Sequence, residues 1–294
     1  MRGTNWAIGV AVVLAGTVGL TRGDDEGYDL RGPAPSKGQT LVTRTIFKIS
    51  KADVTLKSAG QNVKATQTLS STDEEEIKII AVDGRQVTNA QTKVTRDKVD
   101  TITNQGDGDM NDTKAGDLEG EVIISERTGA GKWKHTLVDN KPTDKQKKEL
   151  DKRLGPENQD DLYPAGKLKV GHTWTVDATA LQRVFGGSIT DLKGKLKMKL
   201  VKVEEIDGVT CAVIEAAGKI TGTTKEDDGD LGVELDLKRT TWRSIKTGID
   251  VKDKVEGRIK ASGTVKMDGM EVEVVLEGPV TINSTSKLKS SKSE

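Results

Sequence analysis

Residues 251–282, VKDKVEGRIK ASGTVKMDGM EVEVVLEGPV TI, decide the fold. Val251, Val255, Ile259, Ala261, Val265 and Met267 occupy odd positions, whereas Met270, Val272, Val274, Leu276, Val280 and Ile282 occupy even ones. Alternation of this kind places one apolar set on one side of a strand. The change of phase falls at Asp268-Gly269, a pair suited to the positive φ angles of a type I′ turn. A two-residue loop there sets Met267 opposite Met270, Val265 opposite Val272, Ala261 opposite Leu276 and Val255 opposite Ile282. Both apolar sets then share one face, so turn and pattern agree on register.

The same device recurs upstream. Asp83-Gly84 joins Ile77–Val82 to Gln86–Val94, and Asp207-Gly208 joins Leu196–Ile206 to Val209–Ile220. Leu196, Met198 and Leu200 change phase to Val201 and Val203, which predicts a β-bulge near Leu200. A further strand runs from Leu231 through Val233, Leu235 and Leu237 toward Trp242 and Ile245. Earlier strands are shorter: Leu41–Ile49, then Val54–Leu69 as one bent strand or two. Leu118–Glu126 and Trp133–Val138 form a hairpin, and Asp107–Gly116 is a polar loop.

Two helices interrupt these strands. Thr143 with Gln146 makes a capping box, and Gly155-Pro156 ends the segment 143–154. Asp177 caps a second helix that offers Ala178, Leu181 and Phe185 to the sheet before Gly186-Gly187. The expected architecture is mainly β: an antiparallel meander curled into a half-barrel or open barrel, with two short helices. Residues 39–282 form one β-rich domain, divisible into sub-halves 39–140 and 160–282 joined by the first helix. Pro33-Ala34-Pro35 marks residues 24–38 as a flexible linker, and the Ser- and Lys-rich residues 283–294 read as a disordered tail.

The N-terminus carries an address. Arg2 precedes an apolar run from Trp6 to Leu20, followed by Thr21-Arg22-Gly23 and the acidic Asp24-Asp25-Glu26. This is the pattern of a signal peptide, residues 1–23, cleaved after Gly23. The run falls short of the ~20 apolar residues of a spanning helix, and glycines interrupt it. Cys211 is the single cysteine, so no lipid-bearing cysteine follows the cut and no internal disulfide forms. The expected mature product is exported to the periplasm or beyond, with no stable membrane anchor.

Removal of residues 1–23 takes Arg2 and Arg22, and no acid, from 46 basic and 46 acidic residues, leaving two acids in excess. That balance gives no general attraction to nucleic acid. Aromatic residues are 3% of the chain, so the core must be built from Val, Ile, Leu and Ala.

Several motifs approach chemistry without completing it. Asp107, Asp109 and Asn111 alternate as calcium donors would, but Asp112 stands where the loop needs Gly and Leu118 where it needs Glu. Glu226, Asp227, Asp228 and Asp230 make a similar acidic turn. Gly129-Ala130-Gly131-Lys132 is followed by Trp133, where a phosphate loop requires Ser or Thr. His135 lies in a strand and His172 in a turn, without a nucleophile elbow or paired metal-ligand spacing. Cys211 sits in a strand as a small hydrophobe. No cofactor is expected.

The segment from Tyr163-Pro164 to Val170-Gly171-His172-Thr173-Trp174 is the most distinctive string. It resembles a Pro, Val-x-Gly-x-x-Trp passage of uncharacterised secreted bacterial domains, although here Val170 directly precedes Gly171. In that family a charged helix precedes the passage and a β-meander follows, and the resemblance spans residues 140–280. It implies a β-rich exported domain and carries no activity. The expected architecture also looks like the half-barrel carriers of lipid and lipoprotein in bacterial envelopes.

The leading expectation is therefore a non-enzymatic binding or structural component of the envelope, holding an apolar ligand or partner segment on a concave sheet face. Val255, Ile259, Val265, Val272, Val274 and Leu276 would line that face, with Trp174, Phe185 and Trp242 as ligand-binding aromatics. A plain packed core accounts for the same aliphatics. The alternatives are a secreted hydrolase using carboxylates or His172, and a surface adhesion or assembly module offering an edge strand.

Overall fold

The computed structural model describes residues 27–58, 60–104, 108–129, 131–156, 159–181, 189–226, 229–267 and 269–289. The apolar run of residues 6–20 and the cut after Gly23 lie outside these residues, as do Asp107 and Phe185. In chain order the elements are β1 (Tyr28–Asp29), β2 (Thr40–Ser58), β3 (Gln61–Asp83), β4 (Gln86–Asn104), β5 (Asp109–Ala115), β6 (Val122–Arg127), β7 (Trp133–Leu137), α1 (Asp144–Lys152), β8 (Lys167–Leu168), β9 (Thr173–Asp177), β10 (Ile189–Ile206), β11 (Val209–Glu226), β12 (Gly229–Ser244), β13 (Asp250–Met267) and β14 (Met270–Leu288). All but β1 and β8 belong to one antiparallel sheet ordered β7-β6-β4-β3-β2-β14-β13-β12-β11-β10-β9, with β5 added to β4. The sheet does not close. Both ends of its order are five-residue strands, β7 and β9.

The hairpin of β13 and β14 has the predicted register: Met267 opposes Met270, Val265 opposes Val272, Ala261 opposes Leu276 and Val255 opposes Ile282. Asp207 and Gly208 both take positive φ in the turn between β10 and β11, as a type I′ turn requires. The predicted irregularity appears as a register shift between Leu200 and Lys202. The turn between β3 and β4 falls one residue later than the Asp-Gly pair suggests. Asp83 pairs with Gln86, which puts Gly84 and Arg85 in the loop.

α1 begins at the expected cap: the Thr143 hydroxyl accepts from the Gln146 N–H at 3.2 Å, and the Gln146 side chain accepts from the Thr143 N–H at 3.0 Å. The second helix is only a single 3-10 turn, Ala178–Leu181, within the described residues, because Asp177 still belongs to β9. Another 3-10 turn spans Asp160–Leu162.

Of the two readings of Val54–Leu69 the second holds, since β2 ends at Ser58 and β3 starts at Gln61. Three expectations meet a different backbone. Residues 109–115 form edge strand β5 instead of a loop; every residue in it is exposed, so no apolar alternation announced it. Residues 24–38 include β1, whose Tyr28 pairs with Leu168, and Leu30 is buried in the core. Strand β14 continues to Leu288 beside Leu41, because backbone pairing with β2 holds a polar segment that hydrophobicity alone does not reveal.

Two cores cover the inner face. The larger draws Leu196, Met198, Leu200, Ile214, Ile220, Leu235, Leu237, Val255 and Ile259 from β10–β13, closed by Leu30, Leu162, Tyr163, Ala178 and Leu181. The smaller consists of Val94, Leu118, Ile123, Leu137 and Leu150, with α1 supplying Leu150. Sub-halves 39–140 and 160–282 share one ladder where β14 meets β2. Among the described residues no helix is long and apolar enough to cross a membrane.

Candidate binding cavity

One row of the inner face runs Leu288, Leu41, Ile77, Thr92, Ile123 and Leu137 across β14, β2, β3, β4, β6 and β7. At the β6–β7 end the row is buried under α1. At the β14–β3 end it lines a cavity of about 880 Å³. Leu41, Ile77, Ile79, Val87 and Leu288 make its apolar wall. The facing wall is built by Arg31, residues 33–39, Pro156, Gln159, Asp160, Arg243 and residues 247–250. The lining includes basic Arg31, Lys37, Arg85, Arg243 and Lys289 against acidic Asp160 and Asp250, an excess of three positive charges in a chain whose total is balanced.

That polar wall begins on β12. Val233, Leu235 and Leu237 point inward, and the same period of two carries Arg239, Thr241 and Arg243 to the same side. Both arginines keep only 3% of their side-chain surface exposed. Buried guanidinium groups require partners. Arg239 Nε donates to both oxygens of Asp253 at 2.8 and 2.9 Å, and Nη2 reaches Asp250 at 3.4 Å. Arg243 Nη1 donates to Asp250 at 2.6 Å and to Gln159 at 3.4 Å, and its Nε donates to the Leu30 carbonyl. The Arg243 guanidinium also lies 4.0 Å from the centre of the Tyr163 ring, a cation–π contact shielded from water. Burial opposes charge on both arginines, but the facing acidic groups, Asp253 above all for Arg239 and Tyr163 with Asp250 for Arg243, outweigh it and keep them protonated. The Tyr163 hydroxyl donates to Asp250 at 3.3 Å, and burial raises its pKa well beyond the ordinary range. Arg239 Nη1 is buried without a hydrogen-bond partner.

Arg85, delivered by the β3–β4 turn, ties the mouth together. Its Nε and Nη2 hold the two Asp160 oxygens at 2.6 and 2.8 Å, while Nη1 and Nη2 donate to the Gly32 and Arg31 carbonyls at 3.0 and 3.2 Å. This fork raises the Arg85 pKa and lowers that of Asp160. One side chain thereby joins a hairpin tip, the N-terminal segment and a 3-10 turn.

The residues singled out from sequence lie elsewhere. Val265 and Val274 are half-buried neighbours on the inner face, toward the opposite end of β13 and β14 from the cavity. Trp174, on β9, donates from Nε1 to the Leu162 carbonyl at 2.9 Å and packs on the larger core. Trp242 points away from that core, with Nε1 donating to Glu204 at 2.7 Å and Lys252 Nζ 4.9 Å from its ring centre. Val255, Ile259 and Val272 are buried, and Leu276 packs against the larger core, so most of the expected concave lining is filled. Asp109 accepts from Asn104 at 2.9 Å on β5, and Asn111 is exposed on the same extended strand. Among the described residues, no three His, Cys, Asp or Glu side chains converge as metal ligands.

The histidines are separated in the fold. His135 Nδ1 shares a hydrogen with Ser125 Oγ at 2.8 Å, but Ser125 is only 1% exposed. Burial, with Arg153, lowers the His135 pKa. His172 is exposed and stacks on Trp174 at 6.1 Å between ring centres. Cys211 is buried, and burial raises its thiol pKa.

Sequence reasoning passed over Arg239 and Arg243 because charged residues default to the surface. Their phase with Leu235 and Leu237 was the available signal.

No protein-family model and no curated protein matches the chain. Among solved structures it is similar to lipovitellin, from a study of its lipid–protein interactions, with 12% identity over 88% of this chain and 26% of that one, at a TM-score of 0.40. The chain thus spans about a quarter of the lipovitellin chain. An outer membrane channel from Pseudomonas putida F1 gives 10% identity over 87% of this chain and 97% of that one, at a TM-score of 0.27. A DUF1329 family protein from Desulfovibrio piger gives 10% identity over 87% and 88% of the two chains, at 0.13.

Proposed function

We propose that this is an exported, non-enzymatic binding protein whose cavity holds an amphiphile with an apolar chain and an anionic head. The observation that carries this reading is the pairing of opposite walls in one cavity of about 880 Å³: Leu41, Ile77, Ile79, Val87 and Leu288 on one side, and on the other Arg31 and Lys37 beside the Arg85–Asp160 and Arg243–Asp250 pairs. The volume suits a single small lipid. Aliphatic side chains lose unfavourable contact with water when an acyl chain enters. The basic excess favours a carboxylate or phosphate head over a neutral or cationic one. Export is supported by the positive, apolar and small-residue pattern of residues 1–23.

Hydrolysis finds less support. Ser125 is sealed beside His135, and the only ring neighbour of His172 among the described residues is Trp174.

Native mass spectrometry of the mature protein purified from its host tests the proposal. The expected spectrum shows one amphiphile per chain, removed by organic extraction and restored by added fatty acid or lysophospholipid, whose comparison identifies the preferred head. An apo mass throughout, with neither probe retained, would refute the reading.

A further inference from the structure

Beside the aliphatic row of the cavity, the inner face carries an acidic one. Asp73 on β3 stands directly opposite Asp97 on β4, and Glu75, two residues along β3, points to the same side. From β2 the residue opposite Asp73 is Thr45, and along β3 the Ser71 side chain hydrogen-bonds the Asp73 carboxyl. The cation facing these carboxyls is Arg153, the C-cap of α1, whose Nη2 lies 2.6 Å from Glu75. Two further carboxylates bear on Asp97: Glu149 of α1, and Glu119 of the turn before β6, which accepts from the Asp97 N–H at 2.9 Å. Gly116 closes over Asp97 so tightly that a Cβ there would lie 1.7 Å from its carboxylate oxygen. With α1 docked, Asp73 and Asp97 are therefore half-buried among Glu75, Glu119 and Glu149, with the Arg153 guanidinium as the opposing charge.

We propose that α1 and the segment behind it form a pH-sensitive cover, held firmly on the inner wall when the Asp73–Asp97 pair carries a proton and loosened when both are ionised. Burial, then the charges of Asp97 and Glu75, push Asp73 up to about 6, and burial with Glu149 raises Asp97. Undocking α1 hydrates both carboxyls and returns them toward their ordinary values. The docked state binds the proton more tightly, so docking is strongest in mild acid and weakens as pH rises through about 6. His135, on β7 near Arg153, acts in the opposite sense, since burial and the Arg153 charge lower its pKa, and a hydrogen bond with the Arg153 backbone and the Asp151 charge offset them only in part. Pro156 follows Arg153 by three residues and lines the cavity, so loosening of the cover opens one wall of the binding site. That last consequence rests on the cavity reading; the docking equilibrium does not.

The test is amide hydrogen exchange of the full mature protein between pH 5 and pH 8, corrected for intrinsic rates. Protection of residues 147–152 is expected to fall about tenfold across this range, while strand amides near Leu196 stay constant. Asp73→Asn and Asp97→Asn should each keep α1 protected at pH 8, and His135→Gln should leave the decline in place. Equal protection at both pH values, or an unchanged decline in both Asn variants, would overturn the proposal. Release of bound cis-parinaric acid, measured in parallel, should accelerate with pH in the unmodified protein and not in Asp73→Asn. A pH-dependent cover with pH-independent release sustains the cover and counts against the cavity reading.

Discussion

Strands β12 and β3 belong to one sheet and live in different surroundings. On β12, alternate residues from Val233 to Arg243 are all buried; β3, the longest strand with 23 residues, has no buried residue at all. Leu30, Leu162, Tyr163 and Leu181 cover the region of β12, whereas β3 faces the cavity and the acidic row beneath α1. The period of two tells which side a residue occupies. It does not tell what, if anything, lies over that side.

Substitutions in the two regions should therefore separate widely. The largest loss is expected for Arg239→Ala, which strands Asp253 in the covered half; about 3–5 kcal/mol of unfolding free energy should disappear in a urea titration. Leu200→Ala, at a fully buried position, should cost about 2–5 kcal/mol, against about 1 kcal/mol for Ile77→Ala, whose side chain already borders empty space. Comparable losses at Leu200 and Ile77 would erase the distinction between filled and open halves. Tyr163→Phe removes the hydroxyl from Asp250 while keeping the ring under Arg243, and should cost about 1 kcal/mol. Thr143→Ala breaks the capping box of α1; its effect, also about 1 kcal/mol or less, should appear as faster exchange in α1 before any change in global unfolding.

Legibility from sequence follows the same division. The β13–β14 register could be read because a tight turn and two apolar phases constrain each other. The capping box of α1 was likewise local, written in Thr143 and Gln146. Strand β5 was hidden because its side chains all face water, and β1 because its two residues owe their place to Leu168 and a distant core. The cavity was hidden for a deeper reason. Leu41, Ile77 and Ile79 look like ordinary core positions and Leu288 falls in a segment that reads as a tail, while the Arg243 that faces them comes from a strand far away in sequence. The concave aliphatics chosen from the clearest hairpin, Val255 and Ile259, were readable because they are well patterned, and they are covered because the larger core lies on them. Pattern strength marked packing here, while the cavity wall was assembled from weaker pattern and long-range contact.

The central claim is that an amphiphile occupies the Leu41–Leu288 end of the inner face. Fluorescence titration with cis-parinaric acid, comparing the unmodified mature protein with Ile79→Trp and Val274→Trp, tests it most directly. Saturable one-to-one binding is expected, weakened at least tenfold by Ile79→Trp, which fills the cavity, and preserved in Val274→Trp at the other end of the sheet. Full binding by Ile79→Trp, or loss of binding in Val274→Trp alone, would contradict it.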